Sequence, residues 1–415
     1  MKVLMVNTYD IRGGAARSVM RTYQALRSQG VDVKLMVQNK WGDDETVLGQ
    51  KGFISRGAAE LRPYLDFAIA FPWHRRRVTF FPAWLPGNFI RRVEKENPDL
   101  VHLNWITGGF VRIESLASLD VPVVWTLHDM WAFTGGCHYA EECTRYEKAC
   151  GRCPILRSGY EHDPSSWVFS RKMKTYGKIK NLTIITPSHW LSSCIKKSPL
   201  FAGSRVEVIH NSLDASTFFP EDKPLSRAHF GFKEDKKIIL FGALDATKNR
   251  LKGFKELTEA LQLIPGKEKF ELAVFGSARK EEKALHGFDV RYFGHIASDA
   301  ELRKLYSAAD VMVVPSIEEV FGQTATEAMA CATPVVAFGA TGLLDIVEHK
   351  INGYLAEPFT TEDLSAGILW CLEDEARRLL LSSAAVETVR KKFDMNKNIH
   401  QFISLYQQLT GQEKP

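Results

Sequence analysis

Short apolar segments alternate with amphipathic segments along most of this chain, and this alternation constrains the fold more than any other feature. "KVLMVN" predicts a first strand, and the segment after it predicts a helix because Val19, Tyr23 and Leu26 recur at helical spacing. Later apolar runs of strand length are "DLVHLN", "PVVWTL", "LTIIT" and "VEVIH". Strands that alternate with helices are typical of a parallel sheet covered by helices.

The alternation starts again after a polar, turn-rich segment at residues 212–236. The second series runs through "KKIILFGAL", "FELAVFG", "DVRYFG", "DVMVVPS" and "TPVVAFG". A chain of 415 residues also exceeds what one hydrophobic core usually organises. We therefore predict two doubly wound α/β domains that face a cleft, at residues 1–211 and 212–390, and a closing helix at residues 391–415. Ligands of such sheets bind at the carboxyl ends of the strands.

Composition narrows the class of partner. The 54 Lys and Arg residues nearly balance the 49 Asp and Glu residues, which leaves a formal net charge of +5. This charge permits nucleotides and diphosphates as ligands but does not predict nucleic-acid binding. "MKVLMVNTYD" reaches an Asp too early for a secretory signal, and no segment approaches the roughly 20 apolar residues of a membrane span. We expect a cytoplasmic protein with reduced cysteines.

Two glutamates flank the start of a helix in the second half. Glu319 follows the strand "DVMVVPS", and Glu327 lies inside the helix "QTATEAMAC". The helix N-terminus, near Phe321, Gly322 and Gln323, offers N–H groups and a positive dipole end to an anion. Carboxylates accept paired hydrogen bonds from vicinal hydroxyls. The pattern indicates a ligand with hydroxyls and phosphate, such as a nucleotide sugar; two solvated surface glutamates are the alternative.

The stretch "EVFGQTATEAMACATPVVA" resembles the Glu-x-Phe-Gly-x4-Glu signature of the retaining glycosyltransferases of family 4, which have the GT-B fold. The resemblance extends over most of the chain. It implies that Glu327 binds the donor ribose, that Glu319 lies beside the donor sugar, and that the amides of residues 321–323 meet the diphosphate. It further implies transfer of a sugar from a nucleoside diphosphate sugar, with retention, to a glycan or lipid-linked acceptor. Bacterial exopolysaccharide assembly of the colanic-acid type is the implied setting.

The same resemblance implies further donor-side residues. Family members usually carry an Arg and a Lys after the first strand of the second domain, and Lys252 in "LKGF" matches the Lys. Ala243 stands at the Arg position, so Arg250 or Lys248 is a candidate for the missing charge. His128, at the end of "VVWTLHDMW", matches a His that contacts the donor sugar in the family, although a His at a strand end is often structural.

The first half contributes a glycine turn and candidate acceptor contacts. Gly13 and Gly14 let the backbone approach a phosphate closely, and the resemblance places their loop against the donor phosphates or the acceptor. Candidates for contacts with the acceptor are Arg17, His102, Asn104 and Trp105.

The expected mechanism uses no catalytic metal, because no Asp-x-Asp pair is placed to hold a divalent ion against phosphates. Lys252, the helix dipole and backbone amides would then stabilise the leaving diphosphate. The resemblance implies that the leaving phosphate takes the acceptor proton. Glu319, His128 and Lys252 would act by positioning the substrate and stabilising charge.

Four of the seven cysteines form a cluster with the spacing C-x5-C-x6-C-x2-C. They are Cys137, Cys143, Cys150 and Cys153. Four thiolates suit tetrahedral zinc, and the last pair has the spacing of a zinc knuckle. Free core cysteines and disulfides are the alternatives to a structural zinc.

An aromatic and basic stretch occupies residues 64–93. Its aromatic residues include Phe67, Phe71, Trp73, Phe80, Phe81 and Trp84, and its arginines are Arg75, Arg76, Arg77, Arg91 and Arg92. The stretch fits a buried helix and loop with solvated arginines. It equally fits a peripheral contact with anionic lipid at the inner face of the cell membrane.

Two other functions share this architecture. A nucleotide-sugar epimerase would release an altered nucleotide sugar without an acceptor and would lack the glutamate signature. A non-catalytic two-domain binding module would carry broken donor residues. Glu319, Glu327 and Lys252 argue against that module, whereas Ala243 argues for it.

Overall fold

The structure is a computed structural model that describes residues 1–50, 52–73, 80–277 and 284–412. The chain divides into two compact units, Met1–Ile209 with Asn398–Pro415, and His210–Lys397. The predicted boundary after residue 211 lies two residues later than this division. The predicted closing segment is not a separate piece, because its first part belongs to the second unit and its remainder to the first.

The first unit is built around a parallel sheet, in which the described residues form seven strands in the order β3-β2-β1-β4-β5-β6-β7. The strands are β1 Lys2–Tyr9, β2 Asp32–Asn39, β3 Val47–Leu48, β4 Leu100–Leu103, β5 Val123–Thr126, β6 Leu182–Thr186 and β7 Arg205–Val208. The helices are α1 Gly14–Ser28, α2 Phe53–Phe67, α3 Phe89–Glu96, α4 Pro164–Tyr176 and α5 His189–Lys197. The middle strands are buried on both faces, as in a sheet covered by helices.

The second unit repeats this plan with the strand order β10-β11-β9-β8-β12-β13-β14 in its described residues. The strands are β8 Lys237–Gly242, β9 Phe270–Phe275, β10 Ala284–Leu285, β11 Phe288–Tyr292, β12 Val311–Val314, β13 Val335–Phe338 and β14 Gly353–Ala356. The helices are α6 Lys223–Phe230, α7 Phe254–Gln262, α8 Asp299–Ala308, α9 Gln323–Ala330, α10 Thr361–Glu373 and α11 Glu375–Lys392. The short edge strand β10 runs antiparallel to β11, which the strand–helix pattern does not predict.

Alternate residues of β8 face two different apolar cores. Ile238 and Leu240 belong to one cluster of buried side chains, and Ile239 and Phe241 belong to the other. This division follows from the two-residue period of a strand, and it explains why the strand is apolar throughout.

The last helix, α12 Met395–Thr410, packs its apolar face onto the core of the first unit. Phe402 and Tyr406 of this helix lie in the same cluster as residues of β1 and β2. Phe393, two residues before the helix, lies instead in a core cluster of the second unit. The closing segment is therefore divided because its apolar side chains are buried in different cores.

Each sheet has a point where the strand order reverses. In the first unit this point lies between β1 and β4, and in the second it lies between β8 and β12. The loops after these strands diverge to opposite sides of the sheet, which leaves a crevice at the carboxyl ends. The two doubly wound α/β domains predicted from the sequence are confirmed.

Candidate functional site

Lys252 and Glu319 meet at the strand-order reversal of the second sheet. Lys252 follows β8, and Glu319 follows β12. The Lys252 Nζ atom lies 2.6 Å from Glu319 Oε2, with the two side chains 20% and 16% exposed. Both residues were singled out from the sequence, and the fold brings them into contact although 67 residues separate them.

The loop that carries Lys252 is fixed against the end of β12. Gly253 has a φ of 71°, a conformation that L side chains rarely adopt. A Cβ atom at this position would overlap the carbonyl oxygen of Pro315. The amide of Ile317 also donates to the carbonyl of Leu251 at 2.9 Å. These contacts hold Lys252 beside the loop of Glu319.

The loop that carries Glu319 is fixed on its other side. The Glu319 amide donates to Thr341 Oγ1 at 3.2 Å, and the Glu319 carbonyl accepts from the amide of Gly342 at 2.8 Å. Gly322 is the N-cap residue of α9, and a Cβ atom there would lie 2.8 Å from Leu343 Cδ2. The positive end of the α9 dipole is therefore held next to Glu319.

Glu327 lies in the interior of α9, only 2% exposed. The Tyr306 hydroxyl donates to Glu327 Oε2 at 2.9 Å. Phe321 is buried and its ring stacks on His210 with the centroids 6.0 Å apart, while Gln323 is half-buried at the first turn. The alternative drawn from the sequence, that both glutamates are solvated at the surface, is wrong because the Glu319 side chain is 16% exposed and Glu327 is 2% exposed.

Ala243 leaves the end of β8 without a cationic side chain. Arg250 begins a short 3-10 turn, Arg250–Lys252, and its side chain is exposed. Lys248 is also exposed, two residues before that turn. Lys252 forms a partly buried ion pair with Glu319.

The glycine turn of the first unit lies at the strand-order reversal of its sheet. Gly13 has a φ of 92° and precedes α1, and Gly14 is the first residue of that helix. A Cβ atom at Gly13 would meet no other atom within 4 Å, so the turn requires glycine for its conformation rather than for space. Arg17 follows within the first turn of α1 and is half-buried.

Asn104 and His128 follow neighbouring strands, β4 and β5, and their side chains meet. Asn104 is 4% exposed, and its Nδ2 donates to the His102 carbonyl at 3.3 Å. Its Oδ1 therefore faces His128 Nε2, 3.1 Å away, which assigns the ring proton to Nε2. Burial lowers the pKa of His128 to about 4, so the ring is neutral at pH 7.

Asp129 and His138 join this group, although neither was predicted as a site residue. Asp129 Oδ2 lies 2.5 Å from His138 Nδ1 and accepts from Trp105 Nε1 at 2.7 Å. Burial raises the pKa of Asp129, but the interaction with His138 and the other hydrogen bonds outweigh it and hold that pKa below its usual value. The sequence signal that could have indicated His138 is its position directly after Cys137, the first cysteine of the cluster.

Three aromatic rings stack beside these polar groups. The ring of Tyr9, at the end of β1, stacks on Trp41 and on Trp105, with centroid distances of 5.1 and 5.5 Å. Trp41 is 39% exposed. Tyr9 and Trp41 were not predicted as site residues, because neither a single aromatic residue at a strand end nor one in a loop belongs to a recognisable sequence motif.

His102 is not an accessible contact for an acceptor. It is 1% exposed, with Nε2 2.7 Å from Thr126 Oγ1 and Nδ1 2.6 Å from the Tyr406 hydroxyl. Burial, followed by the neighbouring His128, lowers the pKa of His102 to about 3. Every residue of β4 is buried, so both faces of the strand are covered and the His102 side chain is enclosed in the core.

The cysteine cluster and the aromatic stretch lie elsewhere in the first unit. The side chains of Cys137, Cys143, Cys150 and Cys153 line one cavity. In the aromatic stretch, Phe80 is buried and Phe71 is 73% exposed. Arg92 donates to backbone carbonyls of β2 and β3, which is a structural contact. Arg75, Arg76 and Arg77 lie outside the described residues.

Two family models match the chain in tandem. Residues 12–217 match the model described as Glycosyltransferase Family 4, and residues 222–388 match the model described as Glycosyl transferases group 1. Each half of the chain therefore carries a glycosyltransferase-type domain. The division between the two matches falls in the segment where the strand–helix pattern restarts.

A relative by sequence is an uncharacterized glycosyltransferase of Methanocaldococcus jannaschii. It is 29% identical over 268 residues, which cover 62% of this chain and 66% of that protein. Among the first curated relatives, the matched region spans between 38% and 66% of their own length.

Solved structures resemble the chain over its whole length. Sucrose-phosphate synthase from Thermosynechococcus elongatus has a TM-score of 0.71 at 21% identity, and the match covers 100% of both chains. Anabaena HepE in complex with UDP and glucose has a TM-score of 0.64 at 18% identity and covers 98% of this chain and 99% of that one. The chain has the GT-B fold. Within the described ranges, every helix is too short or too polar to span a bilayer.

Proposed function

We propose that this chain is a retaining glycosyltransferase that moves a sugar from a nucleoside diphosphate sugar to a glycan or lipid-linked acceptor in surface-polysaccharide assembly. The observation that carries the proposal is the contact between Lys252 and Glu319 at the strand-order reversal of the second sheet, beside the N-terminus of α9. The complex of Anabaena HepE with UDP and glucose supports a nucleotide-sugar donor.

The proposal assigns the donor diphosphate to Lys252 and the start of α9. A phosphate attracts the Lys252 ammonium more strongly than a single carboxylate does, because it presents more anionic oxygens. The dipole of α9 adds to this attraction at the same place. Glu319, once released from Lys252, accepts hydrogen bonds from hydroxyls of the donor sugar. These two sources of positive charge do the work that a divalent metal does in other phosphate-handling enzymes, so the proposal needs no catalytic metal.

The proposal assigns the ribose of the donor to Glu327. Its carboxylate is held by Tyr306 through Oε2, and a carboxylate has acceptor capacity for several further hydrogen bonds. A buried carboxylate loses little entropy when it binds hydroxyls, because its rotamer is already fixed by packing.

The reaction is proposed as a displacement on one face of the sugar. The bond between the anomeric carbon and the phosphate oxygen breaks, and the diphosphate leaves with the bonding electrons. The acceptor hydroxyl oxygen forms its bond to the anomeric carbon from the side that the diphosphate leaves, and its proton passes to the leaving phosphate. Configuration at the anomeric carbon is retained, and no glutamate nucleophile is required.

The acceptor is proposed to bind to the first unit. The rings of Tyr9 and Trp41 offer flat apolar surface to a sugar, and Trp105 stacks behind Tyr9. His128, which the family resemblance assigns to the donor sugar, is neutral at pH 7 with its proton on Nε2, so its Nδ1 can accept a hydrogen bond from a sugar hydroxyl. Arg17 would serve an acceptor that carries a phosphate.

A peripheral membrane contact is proposed for the end of α2 and the turn after it. Leu61, Tyr64 and Leu65 share one face of the helix, and they are 60%, 76% and 53% exposed. Phe71 nearby is 73% exposed. Co-sedimentation with anionic vesicles should fall when Leu61 and Leu65 are both changed to serine; unchanged sedimentation would contradict the proposal.

The experiment that tests the function is donor binding by calorimetry with a panel of UDP-, GDP- and ADP-sugars. Lys252→Ala should weaken binding of the preferred donor about 10- to 100-fold, since a charged hydrogen bond contributes about 1.5–3 kcal/mol. Lys255→Ala is the matched control, because Lys255 is 78% exposed and pairs only at 3.5 Å with Glu259. Its donor affinity should equal that of the unchanged chain.

The products separate this function from its rivals. A transferase hydrolyses the donor slowly without an acceptor and releases a nucleoside diphosphate. Release of an isomerised nucleotide sugar would establish an epimerase, and donor binding without any turnover would favour a binding module. Absence of binding by every member of the panel would refute the donor assignment.

A further inference from the structure

Residues 127–163, all of them described, form a long irregular segment between β5 and α4. Its only helical turns are two short 3-10 turns, Trp131–Phe133 and Arg145–Glu147. The segment is nevertheless well packed, since Phe133 and Tyr146 are 0% and 6% exposed. An irregular segment of this length inside a compact domain usually has a function or a cross-link.

Four cysteines of this segment surround one cavity. Cys137, Cys143, Cys150 and Cys153 all line it, and its volume is about 20 Å³. All four are free thiols, without disulfides. A cavity of this size accommodates a single ion but not an iron–sulfur cluster, which contains several iron and sulfide atoms. Four sulfur ligands around a single ion are typical of structural zinc.

Backbone amides already point at two of the sulfur atoms. The amides of Ile155 and Leu156 donate to the Cys153 sulfur, and the amide of Gly135 donates to the Cys150 sulfur. Hydrogen bonds of this kind favour the charged thiolate and orient it as a metal ligand. They arise here because Cys153 opens a tight turn in "CPIL".

The backbone around the cavity has little room to move. A Cβ atom at Gly135 would lie 2.7 Å from Cys150 Cβ, and one at Gly151 would overlap the Glu161 carbonyl oxygen. The Cys153 amide donates to Asp163 Oδ2 at 2.9 Å. Close contacts therefore restrain the backbone next to Cys150 and at Cys153.

Binding of one ion requires the four sulfur atoms to come closer together than they lie in this structure. No three of the four sulfur atoms, all within the described residues, lie within 4.8 Å of one another. Rotation about χ1 between staggered rotamers moves a sulfur atom by up to about 3 Å. The proposal therefore requires that zinc binding rotates the cysteine side chains toward the cavity, to zinc–sulfur distances of about 2.3 Å.

A buried lysine lies beside the cavity. Lys172 is 0% exposed, and its Nζ atom donates to the carbonyls of Trp131 and Thr134. It also interacts electrostatically with Cys137 and Cys150. A buried amino group is stabilised by negative charge nearby, and four thiolates around one zinc ion carry a net negative charge.

We propose that Cys137, Cys143, Cys150 and Cys153 bind one structural Zn²⁺ ion. Each thiol loses its proton to solvent, and four zinc–sulfur bonds form. The ion cross-links the irregular segment, which has no regular hydrogen-bond ladder of its own. The four cysteines belong to the first unit, whereas Lys252 and Glu319 belong to the second, so the zinc proposal can be tested independently of the proposed transferase activity.

The zinc also positions the acceptor-side group. His138 follows Cys137 directly, and its Nδ1 lies 2.5 Å from Asp129 Oδ2. Asp129 in turn accepts from Trp105 Nε1. A fixed Cys137 therefore fixes His138, which holds Asp129 and Trp105 in place. His138 and Asp129 are positioning residues in this scheme.

The first test is metal analysis by mass spectrometry on the full-length protein, purified without chelators from zinc-supplemented cells. We expect about one zinc per chain. Cys150→Ser should lower zinc content at least tenfold, whereas Cys194→Ser, a buried cysteine on α5 outside the cluster, should leave it unchanged. Should Cys150→Ser fail to fold, the metal content and the thiol count of the unchanged chain decide the question.

The ligand set is checked by replacing the metal. Cobalt(II) in a tetrahedral four-thiolate site produces sulfur-to-metal charge-transfer bands and strong visible absorption. These bands should appear at one cobalt per chain and should disappear on zinc addition. Iron in place of zinc, disulfides among the four cysteines, or no stoichiometric metal would each overturn the proposal.

Hydrogen exchange tests the positioning role. Removal of zinc with a chelator should increase exchange at the amides of Met130 and Trp131, which donate to His138 and Asp129. Exchange in β8 and β9 of the second unit serves as the internal control and should stay constant. Equal exchange at Met130 and Trp131 with and without zinc would overturn the positioning role.

Discussion

Gly253→Ala would show whether the conformation of the loop that carries Lys252 depends on its close contact with the residues after β12. Two costs add at this position. The φ of 71° is strained for alanine by about 1 kcal/mol. The new Cβ atom would also overlap the Pro315 carbonyl oxygen and lie 2.6 Å from its carbon. Backbone atoms cannot rotate away, so the loop must shift, and overpacking of this kind costs about 1–3 kcal/mol.

We therefore expect Gly253→Ala to lower the free energy of unfolding of the second unit by about 2–4 kcal/mol. The shift should also separate Lys252 from Glu319 and weaken donor binding at least tenfold. Urea unfolding gives the first quantity, and calorimetric titration with the preferred nucleotide sugar gives the second.

Gly294→Ala is the matched control. Gly294 lies in the same unit with a φ of 64°, but a Cβ atom there would meet no other atom within 4 Å. This variant carries the backbone strain without the overlap, so we expect a loss of about 1 kcal/mol and unchanged donor affinity. If Gly253→Ala were as stable as Gly294→Ala and bound the donor normally, the argument from close packing would be refuted.

Two further predictions concern buried polar groups. Tyr306→Phe removes the hydroxyl that donates to Glu327, and it should destabilise the second unit by about 1–3 kcal/mol in urea unfolding; no loss would contradict the contact. His102 has a folded pKa of about 3, below its unfolded value, so its contribution to stability is complete above pH 6.5 and is lost as the pH falls toward 3. Between pH 7 and pH 5 the unchanged chain should therefore lose about 2 kcal/mol more than His102→Gln, and parallel curves would contradict the assignment.

The sequence predicted the residues of the proposed donor site more completely than those of the proposed acceptor site. Lys252 and Glu319 each follow an apolar strand, and parallel strands place such positions at one edge of a sheet. Glu327 was expected to face the ligand, but its burial and its bond to Tyr306 depend on α8, which no local pattern relates to α9. Ala243 remains a departure from the family pattern, and the two candidates for the missing charge, Arg250 and Lys248, are exposed.

For the proposed acceptor site in the first unit, the sequence predicted the residues at the strand ends but not the contacts between their side chains. Asn104 and His128 were singled out separately, and the structure joins them. Asp129 and His138 were missed because their contact requires the irregular segment to fold back onto β5. The prediction for His102 was wrong because β4 is buried on both faces, and its own residues do not show which side chains reach the crevice.

The sequence by itself determined the two doubly wound domains, because strand and helix periods are local and a parallel sheet is the arrangement that buries apolar strands on both faces. It also predicted which strand ends carry the candidate site residues. The tertiary structure alone decided which of these side chains touch, which are buried, and where the last helix packs. Those outcomes depend on contacts between residues far apart in the chain, such as Lys252 with Glu319 and His102 with Tyr406, and no periodicity encodes such distances.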